Sequence, residues 1–402
     1  MTLQKEKYLK TRKKNSTLLF ALNDKKGGLI TIRSYYGGLI IKTLKGYYIQ
    51  HFDADLNLKK EYDFKVKQNR IENAFVNDGK LHLIEFNKSR IKRFLKYNLL
   101  STSLESFNFE SKELLSLSED NIKKYFGIKV FPFFMTNGIN QLDIDHLGSV
   151  SMSKNNNFFA INFDLRNKEK ETHKVFVFNN KFEMVYDKLI VKPIEDRYFE
   201  YNTIEVDDTS GTLYFLGKSY ENKSRRKKKK EKTNYHFELS RIDETGEKIV
   251  SFKNPDKFIS SLSLIKNGDN ISCIGFYGNE NEGRLNGACL IKINGDTFEV
   301  ETKKFNPFSE TFLTDKYGEN KNKKKRKAKK GLRNIEFRSI EVLDNGDIVM
   351  SAEEDYITVH TMTGANGVMT TYTVQHYDDL IALKMNKDGD LIWSRNINKA
   401  QT

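Results

Sequence analysis

Short apolar runs alternate with clusters of turn residues along the whole chain. In one example, residues 340–343 (Ile-Glu-Val-Leu) and 347–350 (Asp-Ile-Val-Met) flank the turn residues Asn345 and Gly346. Apolar runs of this length, rich in β-branched residues, predict β-strands, and an Asn-Gly pair between two of them predicts a hairpin. The pattern therefore predicts a chain built from consecutive β-hairpins.

Turn residues divide the chain into six units with four predicted strands each. We place the units at about residues 18–64, 71–109, 148–191, 204–252, 262–305 and 337–397. A repeat of roughly 40–60 residues made only of strands is typical of a β-propeller, in which each blade is a four-stranded sheet. We therefore predict one all-β domain over residues 1–402, a β-propeller with six four-stranded blades.

One segment departs from the strand pattern. Residues 112–126 carry apolar side chains at helix-like spacing, among them Leu114, Leu117 and Ile122, and residues 118–121 (Ser-Glu-Asp-Asn) form a capping signal. This spacing predicts a short helix. We place it in an insert at 111–147, between the second and third blades.

The long connections are predicted to share one end of the blades. Turns between strands 1 and 2, and between strands 3 and 4, are short, whereas the other connections are long. Successive connections of an up-and-down sheet alternate between its two ends. The insert and the segment 355–377 therefore lie on one loop-elaborated face, together with two basic tracts. We expect function on this face, because binding residues are often carried by loops on a rigid scaffold.

Net charge is concentrated in those two tracts. The chain carries +14, and residues 225–232 contain seven Lys or Arg and one Glu, while residues 321–330 contain eight Lys or Arg and no acidic residue. The rest of the chain is therefore balanced. Basic clusters attract polyanions, so the two tracts are candidates for polyanion binding. Neither tract contains an aromatic residue for base stacking, and the alternative is that both are solvated loops. The candidate polyanion contacts are Arg225, Arg226, Lys227, Lys228, Lys324, Lys325, Arg326 and Lys327. A further basic segment covers residues 1–16.

The segment 355–377 is predicted to form an unusually long hairpin. Its arms, 356–363 and 369–376, are rich in β-branched residues and nearly free of charge. Such arms favour paired strands, and a long uncharged hairpin is a candidate docking surface. Packing over a neighbouring blade is the alternative. The candidate binding residues are Tyr356, His360, Tyr372 and His376.

Other chemistry is weakly indicated. His360 and His376 lie near Asp355, Asp378 and Asp379 in sequence, but the chain has seven histidines, so we assign no metal site and no cofactor. No Gly-rich phosphate loop, Gly-x-Ser-x-Gly elbow or sialidase-type Asp turn occurs, and we assign no catalytic residue. Cys273 and Cys289 are predicted to face each other across a hairpin, either as two buried thiols or as a disulfide.

The last unit carries a resemblance to known proteins. Residues 386–393 read Asn-Lys-Asp-Gly-Asp-Leu-Ile-Trp, after the Thr/Tyr-rich stretch 356–372. These residues resemble uncharacterised β-propeller-like repeat proteins of Bacteroidota, secreted or envelope proteins, over about the last 70 residues. The resemblance implies a propeller fold and export to the periplasm or envelope, with no catalytic residues to transfer. The apolar run 18–22 is too short for a signal peptide, so we assign no location.

We therefore predict a non-enzymatic binding or scaffold module that uses the loop-elaborated face. A protein or glycan is the expected partner, and we expect a monomer without a membrane span, since no stretch of 18 apolar residues occurs. Polyanion binding through the basic tracts and a carbohydrate-active enzyme are the alternatives.

Overall fold

The described part of the chain folds into six four-stranded antiparallel sheets and one small two-stranded sheet. The computed structural model describes residues 16–38, 43–66, 69–89, 93–123, 148–221, 228–229, 232–254, 256–279, 285–318, 332, 335–363 and 369–399. In each four-stranded sheet the strands lie side by side in chain order. This is a six-bladed β-propeller, and it confirms the predicted fold class and blade count.

Each blade is an up-and-down meander of consecutive strands. The first blade comprises β1 (Ser16–Asn23), β2 (Leu29–Gly37), β3 (Thr43–Phe52) and β4 (Leu58–Lys65), and the second β5 (Arg70–Asn77), β6 (Lys80–Ser89), β7 (Phe94–Ser103) and β8 (Glu110–Ser118). The third comprises β9 (Ser149–Met152), β10 (Phe158–Asp164), β11 (Glu171–Asn179) and β12 (Met184–Lys192).

The last three blades follow the same plan. The fourth comprises β13 (Phe199–Val206), β14 (Leu213–Tyr220), β17 (Tyr235–Ile242) and β18 (Glu247–Phe252), with the two-residue strands β15 (Lys228–Lys229) and β16 (Lys232–Thr233) in the connection after β14. The fifth comprises β19 (Lys257–Asn267), β20 (Asn270–Asn279), β21 (Gly287–Ile293) and β22 (Val300–Pro307). The sixth comprises β23 (Ile335–Val342), β24 (Ile348–Thr363), β25 (Met369–Met385) and β26 (Leu391–Ile397).

The blades are grouped into two compact units, each with its own core. The first unit contains the first two blades and nearly all of the third, and the second contains the fourth, fifth and sixth. In the second unit, one cluster around Phe237 and Cys273 joins the fourth and fifth blades, and another around Phe276 and Met350 joins the fifth and sixth. Burial of apolar strand faces between neighbouring blades holds each unit together.

A β-bulge recurs at the same place in five blades. In the first strand of each, one residue is skipped in the pairing with the second strand: Leu19, Glu72, Asn202, Ser260 and Arg338. A bulge bends its strand and increases the local twist. The repeat is therefore preserved in strand register as well as in turn residues.

The predicted helix at 112–126 is wrong. Residues 110–118 form β8, the fourth strand of its blade, and a single 3-10 turn (Glu119–Asn121) follows it. Tyr97 pairs with Leu115 and Asn98 with Glu113, so Leu114 lies in a bulge and both leucines are buried. The bulge breaks the alternation of the strand, and this is why the spacing imitates a helix. Residues 124–147 of the predicted insert lie outside the described residues.

A helix occurs instead between the fifth and sixth blades. Helix α1 (Glu310–Tyr317) begins after Ser309, whose side chain accepts a hydrogen bond from the backbone N–H of Phe312. Phe312 is buried and stacks on Phe308 with 4.1 Å between ring centroids. Among the described residues, no helix has the length and apolar character needed to cross a membrane.

The two cysteines are diagonal neighbours rather than direct partners. Cys273 lies opposite Ile291, and Cys289 lies opposite Gly275. Both are fully buried free thiols. Burial raises the pKa of Cys289 to about 12 and also raises the pKa of Cys273. Cys273 and Cys289 are therefore small core residues, and they do not form a disulfide.

Candidate functional site

Strands β24 and β25 extend far beyond the strands beside them. Pairing of β23 with β24 ends at Glu354, and pairing of β26 with β25 ends at Leu380. From Asp355 opposite Tyr377 to Thr363 opposite Met369, the two strands pair only with each other among the described residues. We call this two-stranded extension the ribbon. Its two strands lie within the segment 355–377, for which the sequence predicts an extended hairpin.

The register brings the four predicted binding positions onto one face of the ribbon. Tyr356 lies opposite His376, and His360 lies opposite Tyr372. The rings of Tyr356 and His376 are stacked, with 4.7 Å between centroids and 10° between planes. The hydroxyl of Thr358 lies 2.9 Å from Nε2 of His360 and 2.8 Å from Nε2 of His376. The two imidazoles therefore converge on a single oxygen atom.

Apolar side chains on the ribbon are exposed. Val359, Met362 and Met369 are 65%, 61% and 69% exposed, and Ile357 is 44% exposed. Residues 356–377 include no Asp, Glu, Lys or Arg, although 30% of the chain is charged. The ribbon therefore combines apolar surface with open strand edges and lacks the charged residues that usually protect such edges.

The base of the ribbon is fixed by ion pairs on both strands. On β24, Arg338 donates to Glu353 at 2.6 Å and to Asp355 at 2.9 Å. Lys316 of α1 reaches Glu354 at 3.0 Å and Asp379 of β25 at 2.5 Å. These contacts link the helix, the first strand of the blade and both ribbon strands. They hold the start of the ribbon on a rigid support.

Two more contacts extend this anchoring into the ribbon. The hydroxyl of Tyr356 donates to Asp378 at 2.9 Å, and this contact raises the pKa of Tyr356. The Gln375 amide donates to Asp355 on the opposite strand. The carboxylates near the histidines in sequence are therefore engaged with Arg338, Tyr356 and Lys316 rather than with the imidazoles.

Charged side chains also lie on the first two strands of blades in the second unit. Burial raises the pKa of Glu336 in β23, and the nearby negative charge of Asp355 raises it further. In the fourth blade, Glu200 accepts a hydrogen bond from the hydroxyl of Tyr220 at 2.8 Å and lies 3.6 Å from Nζ of Lys218. Glu200 is thus matched with a hydroxyl and a lysine, and the arrangement of these carboxylates does not identify a catalytic pair.

In the first unit, His173 of β11 is buried near the carboxylate of Asp164. His173 is fully buried, and its Nδ1 lies 3.1 Å from Oδ1 of Asn162. Its ring lies within 4.8 Å of the carboxylate of Asp164, which pairs with Lys123 at 3.3 Å. Because a lysine already compensates this carboxylate, we interpret the group as a polar element of the core.

Most of the predicted polyanion contacts lie outside the described residues. This applies to Arg225, Arg226 and Lys227 in the first tract, and to residues 324–327 (Lys324, Lys325, Arg326 and Lys327) in the second. The backbone of Lys228 lies in β15 and pairs with Thr233 of β16. Part of the first tract therefore forms a short hairpin of its own.

Comparisons with known proteins give no family for this chain. No protein-family model matches it, and no curated protein does. It is similar only in fold to solved β-propellers. The β-propeller domain of the Trilobed protease from Pyrococcus furiosus is 11% identical, with 98% of this chain and 96% of that chain covered and a TM-score of 0.42.

Two further solved structures show the same limited similarity. Acylaminoacyl peptidase from Pyrococcus horikoshii is 10% identical, with 96% of this chain and 53% of that chain covered and a TM-score of 0.40. Hsv2 from Kluyveromyces lactis is 9% identical, with 96% and 99% covered and a TM-score of 0.36. At these scores the similarities carry no argument about function, so a functional proposal must rest on the geometry of this chain.

Proposed function

We propose that the protein is a non-enzymatic binding module and that the ribbon is its docking element. The observation that carries this proposal is the extension of β24 and β25 beyond β23 and β26, which leaves both edges of the ribbon without a neighbouring strand among the described residues. Open edges present backbone N–H and C=O groups to a partner. The ion pairs at the base hold these edges in a defined position.

The dimensions of the ribbon favour an extended partner segment over a flat partner surface. The ribbon contains nine residue pairs, and at about 3.4 Å per residue it is about 30 Å long. With a width of about 10 Å, each face offers roughly 300 Å². Packing two such faces together buries about 600 Å², which is below the ~1,200 Å² of a stable interface. Strand addition along an edge gains backbone hydrogen bonds as well as side-chain contact.

The chemistry of the ribbon defines the partner class. Its exposed side chains are β-branched, aromatic or Met, and it has no fixed charge between residues 356 and 377. A complementary segment is extended, uncharged and rich in β-branched residues, and it belongs to another protein. The closely spaced apolar side chains of the ribbon would pack against every second side chain of that segment.

Shortening the ribbon tests this proposal. Replacing residues 357–375 by an Asn-Gly turn removes most of the ribbon but leaves the pairing of β23, β24, β25 and β26 nearer the core intact. We expect an unchanged melting curve and loss of the protein partner that the intact chain recovers in a pull-down. Unfolding on deletion would show that the ribbon belongs to the core, and an unchanged set of partners would remove it as the docking element.

A substitution of one exposed residue provides a matched control. Val359→Lys adds a charge near the middle of the first ribbon strand, whereas Val359→Thr keeps the β-branched shape and the strand pairing. We expect the lysine variant to weaken partner binding about tenfold or more and the threonine variant to bind nearly as the intact chain does. Equal binding by both variants would contradict edge docking at this position.

A further inference from the structure

We propose that His360 and His376 form a binding site for a divalent transition-metal ion of the zinc, copper and nickel class. Both Nε2 atoms lie within hydrogen-bond distance of the same Thr358 hydroxyl, at 2.9 and 2.8 Å. Because the two contacts share one atom, the two nitrogen atoms are separated by no more than the sum of those distances. An ion that replaces the hydroxyl at this point has two imidazole nitrogens beside it.

The strand register creates this convergence. Thr358 and His360 are two residues apart on β24, and His376 lies opposite Tyr356 on β25, so all these side chains share one face. A tetrahedral ion with metal–nitrogen bonds of about 2.0–2.1 Å needs its two nitrogens roughly 3.4 Å apart. Side-chain rotations that turn the Thr358 hydroxyl away and bring the two nitrogens to this spacing would complete the site.

One ring is oriented before an ion binds. His376 stacks on Tyr356, and the hydroxyl of Tyr356 is held by Asp378 at 2.9 Å. Groups behind the ligands often orient metal-binding imidazoles in this way, and they raise affinity by limiting the positions that the ring can take. Tyr356 and Asp378 are therefore positioning residues for the site.

The ligand set selects the kind of metal. Asp355 and Asp379 are engaged with Arg338 and Lys316, so the convergent ligands are imidazole nitrogen atoms. Imidazole nitrogen suits zinc, copper and nickel, whereas calcium and magnesium require oxygen ligands. With two protein ligands, water fills the remaining positions. The site lies on the ribbon, but metal binding to the isolated protein does not depend on the proposed function.

Titration with copper(II) and with zinc(II) tests the site in the full-length protein. Electron paramagnetic resonance of the copper complex reports the number of coordinated imidazole nitrogens. His360→Ala and His376→Ala are each expected to weaken binding at this site about 100-fold, because the second ligand no longer acts at high effective concentration. Thr358→Val removes the competing hydroxyl and is expected to retain binding.

A transposed histidine is the decisive control. The double variant His360→Thr with Thr361→His keeps the composition but moves one imidazole to the opposite face of the ribbon. We expect it to behave like His360→Ala, with one bound equivalent fewer than the intact chain and an unchanged melting curve. Binding that is equal in the intact and transposed chains would overturn the proposal, and so would a spectrum of the intact protein that shows a single imidazole at this site.

Discussion

Asp207 closes the turn between β13 and β14 and also pairs with Lys266 of the next blade. Its Oδ1 accepts hydrogen bonds from the backbone N–H groups of Thr209 and Ser210 at 3.0 and 2.8 Å. Burial by itself would raise the pKa of Asp207, but the Lys266 contact and the turn hydrogen bonds hold it well below its usual range. One side chain therefore shapes a turn and links two blades of the second unit.

Removing this charge should lower stability in a pH-dependent way. Asp207→Asn keeps the turn acceptor but loses the ion pair, and we expect a loss of about 1–3 kcal/mol at pH 7. Because the folded-state pKa lies below the unfolded value of about 3.9, the stabilisation is present above about pH 4 and is lost as pH falls further. Urea unfolding at pH 7 and pH 3 should show the difference between the two proteins shrinking at the lower pH.

The turn at Asp243 supplies a matched comparison. Its Oδ1 accepts from the backbone N–H groups of Thr245 and Gly246 at 2.8 and 3.1 Å, and it is less buried than Asp207. Asp243→Asn preserves these acceptor contacts, so we expect a loss below about 0.5–1 kcal/mol. Equal losses in the two variants would show that the ion pair with Lys266 contributes little.

At the scale of the element, α1 is too short to be stable alone and depends on its packing. Phe312 is its buried residue, stacked on Phe308, while Thr311 beside it is exposed. Asp315 of the helix also accepts from Arg395 of β26 at 2.6 and 3.1 Å. The helix therefore attaches to the blade through one aromatic ring and through charged side chains.

This attachment predicts a clear contrast between two neighbouring substitutions. Phe312→Ala should reduce the free energy of unfolding by about 3–5 kcal/mol, because it removes a fully buried aromatic side chain. Thr311→Ala should change it by less than about 0.5 kcal/mol. Urea unfolding of both variants measures the contrast. A small effect of Phe312→Ala would mean that the helix can detach without disturbing the blade.

The sequence predicted the strands well, but it did not predict the bulge at Leu114 or helix α1. Turn residues and β-branched runs were sufficient to place the blades, since most strands are short and are separated by turn residues. The bulge at Leu114 was hidden, because a buried pair of leucines has the spacing of a helix as well as that of a bulged strand. Helix α1 was missed because only Phe312 of its residues is buried, which leaves no apolar periodicity to detect.

The convergence of His360 and His376 could not be predicted, because it depends on the register between β24 and β25. The sequence showed that both histidines lie on the arms of one hairpin, but their faces depend on the register. A two-residue turn at Asn366 and Gly367 would place Tyr356 opposite Tyr377, whereas the structure places it opposite His376. A shift of one residue moves side chains to the other face of a strand. Sequence therefore indicated the candidates, and register decided which of them meet.

In the molecule as a whole, the net charge lies in segments of the chain outside the four-stranded sheets. The two basic tracts carry the entire net charge of +14, while the remaining residues are balanced. Many of the charged side chains described in the blades are matched in ion pairs, as Lys192 is with Glu247 at 2.7 Å. We therefore expect the tracts to contribute little to folding, and they stay candidates for interaction with polyanions.

Replacing the Lys and Arg residues of both tracts with Ser should test this separation. We expect a change in the free energy of unfolding below about 0.5 kcal/mol, since solvated charges away from special contacts contribute little. We also expect the variant to elute from heparin at markedly lower salt, because fewer counterions are released on binding. Variants of one tract should elute at intermediate salt. A large loss of stability would show that the tracts pack against acidic groups of the blades.

The strictly sequential order of the strands has a consequence for biosynthesis. Every four-stranded sheet among the described residues is assembled from strands that follow one another along the chain, and none of them includes a strand from a distant part of it. A nascent chain can therefore complete the hydrogen-bond ladder of one blade as soon as its fourth strand has left the ribosome, before the next blade has been translated. Because the ribbon belongs to the sixth sheet, it emerges after the other five sheets, when the chain upstream of it has already had time to fold. An uncharged strand edge prone to aggregation is thus exposed for a shorter time during synthesis than it would be in an earlier blade.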